Sequence, residues 1–198
     1  MAEKAANPSV PVSRFDCRDF PPAERLSAFR RLTRSVYEVQ AVGASSSFEA
    51  EAIGFQVGEV VFNRLRCSPA HFHRREKHLR GEGRDFLVLE AQLSGGQTVR
   101  MGERQVRMLP GHLYLRDWAL PFASAADAMT MTSVIIPRHR LEASAAMHAR
   151  TPVVSWQGSE PAGRALWLIW ERLMMDLAVV PLATAKTLTE GFLGFLDG

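Results

Sequence analysis

Cysteine is nearly missing from this chain. Only Cys17 and Cys67 occur, far apart, with no CxxC pair. A disulfide framework is therefore excluded, and the chain is expected to be reduced and cytoplasmic. Long apolar runs are missing too: none approaches the ~18 residues a membrane helix needs. Met1 to Arg14 has no apolar core segment, so no secretory signal is expected. Charge of one sign is not in excess. Lys and Arg number 24 against 21 Asp and Glu, a balance that permits an anionic partner without demanding one. No GxSxG elbow, phosphate loop or Ser/His/Asp arrangement is present, and no internal repeat. What is present is core material. Of 198 residues 46% are apolar, with 11 Phe, 4 Trp and 8 Met, enough for one domain with at most a small appendage.

The texture changes twice along the chain. Residues 1–14 are small, polar and broken by proline, as in a disordered arm. After Pro21-Pro22, Leu26, Phe29, Leu32 or Thr33, and Val36 fall at helical spacing, with Arg25, Arg30, Arg31 and Arg34 between them. This predicts an amphipathic helix over about 23–39 with a solvated basic face. From Phe48 to Pro137, short alternating runs are punctuated by Gly81-Glu82-Gly83, Gly95-Gly96, Gly102-Glu103 and Pro110-Gly111. Roughly eight strands at this spacing predict a small antiparallel jelly roll. Beyond it a short helix is expected over 141–148, a loop over 156–163, and two helices over about 161–179 and 182–196. Pro181 separates the last two. The fold class is thus mainly β with α: a barrel with a leading helix and a closing helical hairpin.

Several stretches share one family's pattern. Pro22-Ala-Glu-Arg25-Leu26 with Ala28-Phe29-Arg30 resembles the opening helix of a subgroup of AraC-type transcription regulators. Leu79 to Phe86, running on to Gly95, resembles that family's central hairpin. Leu109-Pro110-Gly111-His112 with Asp117 and Pro121 resembles its Pro-Gly-Asp turn and following strand, although His112 stands where the family carries an acid. Pro137-Arg138 with Leu141 resembles its closing motif. The resemblance implies a cupin-like sensor barrel over 15–140 and a dimerising helical segment over 141–198. It also implies a small-molecule effector, a homodimer, and no cofactor. Such regulators read DNA through a further C-terminal helix-turn-helix domain, which this sequence does not include. The final helices are no substitute. From Ala165 on, Arg172 and Lys186 face Glu171, Asp176, Glu190 and Asp197, where a DNA reader needs clustered cations.

Candidate site residues follow from strand parity. Tyr114, Arg116 and Trp118 share one face of a strand, and Phe86, Glu90 and Gln92 share one face of another. Aromatics mixed with charges on one face suit a ligand pocket, and equally suit an outer surface. Among Arg64, Arg66, Arg74, Arg75, Lys77, Arg80 and Arg84, an inward arginine could grip a carboxylate, though nothing in the sequence says which. His71 and His73, at i and i+2, are counted with the pocket. They also raise an alternative, a free-standing metal-dependent cupin enzyme. Against that, Glu76 has the opposite parity, and His112 follows its Pro-Gly turn too closely for the cupin pattern. No metal site is therefore expected. For the hairpin, Leu166, Trp167, Trp170, Leu173, Met174 and Leu177 are the expected dimer interface, since aromatics and Met are enriched there. The competing assignment is packing against the chain's own barrel.

Overall fold

The computed structural model describes residues 8–80, 85–142 and 151–198. Twelve strands are assigned: β1 (Val12–Asp16), β2 (Glu38–Ala41), β3 (Ala50–Val57), β4 (Val60–Cys67), β5 (Ala70–Arg74), β6 (Phe86–Ser94), β7 (Gln97–Met101), β8 (Arg104–Met108), β9 (His112–Asp117), β10 (Phe122–Ala126), β11 (Met129–Pro137) and β12 (Val153–Gln157). They form a seven-stranded sheet ordered β1-β3-β4-β11-β6-β9-β12 and a five-stranded sheet ordered β2-β5-β10-β7-β8. Every ladder is antiparallel. The two sheets face each other as a jelly roll. Among the described residues three α-helices accompany them: α1 (Arg25–Thr33), α2 (Pro161–Asp176) and α3 (Leu182–Asp197).

Side chains alternate across a strand, so the large sheet has two distinct faces. Its outer face carries Phe55, Phe62, Leu89, Leu113, Leu115, Val134 and Ile136, which form one core with Leu166, Trp170, Leu173 and Leu177 of the α2 region and Phe192 and Leu193 of α3. Trp170 sits 5.9 Å from the Phe192 ring and donates its indole N–H to Thr132 Oγ1 at 3.0 Å. Burying each such side chain contributes roughly 1.5–3 kcal/mol. At the start of α2, Gly163 makes this docking possible: a Cβ there would lie 2.1 Å from the Gln157 carbonyl oxygen. Arg138 ties the end of β11 to its neighbours, bonding Asp85 and Asp117 at 2.5 Å each.

Several expectations are corrected. The arm is shorter than 1–14, because Val12–Arg14 pair with Phe55–Ile53 and Val10 is buried; residues 1–7 lie outside the described residues. The first helix ends at Thr33, not near Val39. Glu38–Ala41 instead pairs with β5, placing Val39 beside Phe72 in the core. The expected loop 156–163 contains the end of β12, paired with β9, and the first turn of α2. The expected turn at 81–83 and most of the helix expected over 141–148 lie outside the described residues. Among the described residues, no helix is long and apolar enough to cross a membrane.

Candidate functional site

The inner face of the large sheet does not resemble its outer face. Following the register from strand to strand, Ser13 pairs with Gly54, Gly54 with Asn63, Asn63 with Ser133, Ser133 with Glu90, and Glu90 with Tyr114. One row of polar or small residues thus crosses six neighbouring strands. Hydrophobic side chains lie to either side of it, including Phe15, Leu65 and Met131 on one side and Val88 and Ile135 on the other. A sheet that packed only against apolar partners would not keep such a row.

A cavity of about 260 Å³ opens between the sheets against this row. Its polar wall is Ser13, Asn63, Ser133 and Glu90, and its aromatic wall includes Phe29, Tyr37, Phe72, Trp118 and Phe122. Exposed Leu32 on α1 and exposed Ser13 on β1 belong to its outer end. Gly54 keeps that end clear, since a Cβ there would lie 2.8 Å from Ser13 Oγ and 3.0 Å from Asn63 Oδ1.

At the inner end lies a buried ion pair. Arg116 gives Nε to Glu90 Oε2 and Nη2 to Glu90 Oε1, the latter at 2.8 Å. Both side chains are 2–3% exposed. The guanidinium carbon sits 4.5 Å from the Phe122 ring and 5.6 Å from the Trp118 ring. Arg74, from the other sheet, holds this end together. It donates to the carbonyls of Trp118 and Val36 at 2.8 and 2.7 Å and lies 5.4 Å from the same indole. Tyr37 meets Phe72 edge-on at 5.2 Å, and burial raises its phenol well above the ordinary range, so it stays a neutral hydroxyl.

The residues singled out by parity separate into groups. Glu90, Arg116 and Trp118 line the cavity. Gln92 and Tyr114 are buried on the same face outside its walls, and Phe86 packs against the cluster that holds Tyr114 and Trp118. Tyr114 hydroxyl accepts from Leu109 N at 3.0 Å, pinning the turn before β9. Gln92 is fully buried and neither side-chain polar atom has a partner. His71 and His73 are not in the cavity. On β5 it is Ala70, Phe72 and Arg74 that turn inward, so the two imidazoles lie on the opposite face. Among the described residues, no three His, Cys, Asp or Glu side chains gather as a metal site. The expected interface residues also move. Leu166, Trp170, Leu173 and Leu177 are 1–4% exposed inside the chain's own core, with Trp167 and Met174 packed at its edge. Gln97, Phe72, Phe122, Asn63 and Ser133 were not singled out from sequence. Phe72 carried a usable signal, since it has the opposite parity to the two histidines beside it.

The sequence profile of the AraC-binding-like domain matches residues 30–196. The chain belongs to that family. AraC-binding-like domains are cupin-type sensing domains of regulators, and the jelly roll agrees with this assignment. The AraC-like transcriptional activator CuxR aligns over 92% of this chain and 70% of its own, with a TM-score of 0.73 and 18% identity, a likeness of fold. AerE from Microcystis aeruginosa aligns over 51% of this chain and 46% of its own (TM-score 0.36, 12% identity). EutQ from Clostridium difficile aligns over 46% and 71% (TM-score 0.37, 11% identity). These two partial alignments carry no argument about this AraC-binding-like domain. No curated protein matches it in sequence.

Proposed function

We infer that this domain senses a small organic effector in the barrel cavity, pairs with a second copy, and controls DNA binding by a separate domain of an AraC-type regulator. The observation that carries the reading is the cavity. A barrel interior is ordinarily filled by side chains, whereas this one keeps about 260 Å³ beside a row of polar groups and a buried ion pair. An effector that prefers one arrangement of barrel and hairpin would shift the population toward it.

The homodimer, on this reading, uses the outer side of the hairpin, because the inner side is occupied. Leu168, Met175 and Val179 are 59–79% exposed on and just after α2, and Leu188 and Phe195 are exposed on α3. Large outward apolar groups so close together suit a partner surface better than water.

The test is thermal unfolding with a panel of small acids, amides, amines and sugars. A specific binder raises the melting temperature by mass action. Ser133→Phe, whose ring the cavity has room for, should abolish that rise while the ligand-free protein still melts cooperatively. If the rise persists in Ser133→Phe, the effector does not sit in the cavity.

A further inference from the structure

The inner end of the cavity is short of acceptors. Arg116 Nε and Nη2 are held by Glu90, but Nη1 is buried without a partner. Trp118 Nε1 and Gln97 Nε2 are likewise buried and unpartnered. All three residues line the same cavity, and Glu90 is the only carboxylate among its lining residues. Buried N–H groups in native proteins nearly always have partners. Three orphans among the lining residues of one cavity, two of them at its Phe122 end and one of those on a guanidinium, are donors that oxygen atoms could satisfy.

We propose that the effector is a small monocarboxylate with an apolar body. Its carboxylate accepts from Arg116 Nη1, Trp118 Nε1 and Gln97 Nε2, and its body lies against Phe29, Phe72 and Met131. This rests on the reading of the cavity as the effector site. A carboxylate offers about four lone-pair positions and no donor, which suits a set made only of donors. An amine would bring further donors to groups that lack acceptors. A phosphate would bring up to two negative charges to a guanidinium already half-neutralised by Glu90. The volume equals that of about nine liquid waters, which limits the acid to roughly that many non-hydrogen atoms. The three donors are closed off from water, with Phe122 4.5 Å from the guanidinium carbon, so entry requires side chains at this end to move aside.

The experiment is calorimetric titration of the whole chain with benzoate, phenylacetate and hexanoate, each against its neutral amide, and with benzylamine. At least one acid should bind roughly tenfold or more tightly than its amide, because a charge-assisted bond is replaced by a neutral one. Benzylamine should not bind. Trp118→Phe keeps the ring and removes one donor, so it should weaken the acid about three- to tenfold and the amide by less. Removing Arg116 alone would strand Glu90, so the second variant is Arg116→Met with Glu90→Met, which should lose the preference for acid over amide. Equal affinity for acid and amide, or a preference that survives both variants, overturns the proposal. If an amide binds as well as its acid and Ser133→Phe abolishes that binding, the cavity reading stands and the carboxylate falls. If no probe binds at millimolar concentration the carboxylate falls, and if Ser133→Phe leaves every binding event unchanged both fall.

Discussion

The two faces of the seven-stranded sheet are made by alternate residues of the same strands, yet they are organised on opposite terms. On β11, Thr132, Val134 and Ile136 face the hairpin, while Met131, Ser133 and Ile135 face the interior. Where the two helices cover it, the outer face is apolar and closely packed. Its buried polar groups have partners, Thr132 an indole N–H and Asp117 the guanidinium of Arg138. The inner face holds the Ser13-to-Tyr114 row, a cavity and a charged pair. The contrast separates two kinds of layer: the outer one is closed by packed apolar side chains, and the inner one retains buried polar atoms without a protein partner.

Substitutions on the two faces should therefore behave differently. The largest expected loss is from Trp170→Ala on the outer side, about 3–5 kcal/mol by chemical denaturation, because it opens a void in a packed layer and leaves Thr132 without its donor. Glu90→Ala on the inner side should cost a similar amount, about 3–5 kcal/mol, for another reason: it leaves Arg116 charged and unpaired at 2% exposure. The paired Glu90→Met and Arg116→Met change distinguishes the causes. It should recover most of that loss, and failure to recover would show that packing rather than charge governs the inner face. Thr132→Val should cost about 1–3 kcal/mol by stranding the Trp170 N–H. The smallest effects belong to Ser133→Ala and to His71→Ala with His73→Ala, within about 0.5 kcal/mol in each case. A Ser133→Ala loss comparable to that of Trp170→Ala would erase the distinction between the faces. A stoichiometric metal that disappears with the histidines would restore the enzyme alternative.

Much of this was legible in the sequence where strands were long and well bounded. The alternation in Phe86–Leu93 and His112–Trp118 puts Glu90, Arg116 and Trp118 among the candidate pocket residues. What alternation cannot give is the sense of inside and outside. His71 and His73 were placed with the pocket because imidazoles suggest chemistry, but Phe72 is the larger apolar group and takes the inner side. Strand β10 escaped notice because Ala-Ser-Ala-Ala carries almost no hydrophobic contrast, and with it went Phe122. Strand β2 was absorbed into the first helix, because Val36 fits the helical spacing as well as it fits an extended approach to Val39. For the hairpin, periodicity identified its apolar stripe, but no pattern says whether the covering surface is the chain's own barrel or a second copy.

The alternation along β11 also shortens the route by which a small molecule could be felt outside the barrel. Ser133 borders the cavity, and the adjacent residue, Thr132, holds the indole of Trp170. Cavity and hairpin are separated by one peptide unit and the thickness of a single sheet. No relay of side chains has to be threaded through the protein, since a strand that shifts to accommodate a guest carries its other face with it.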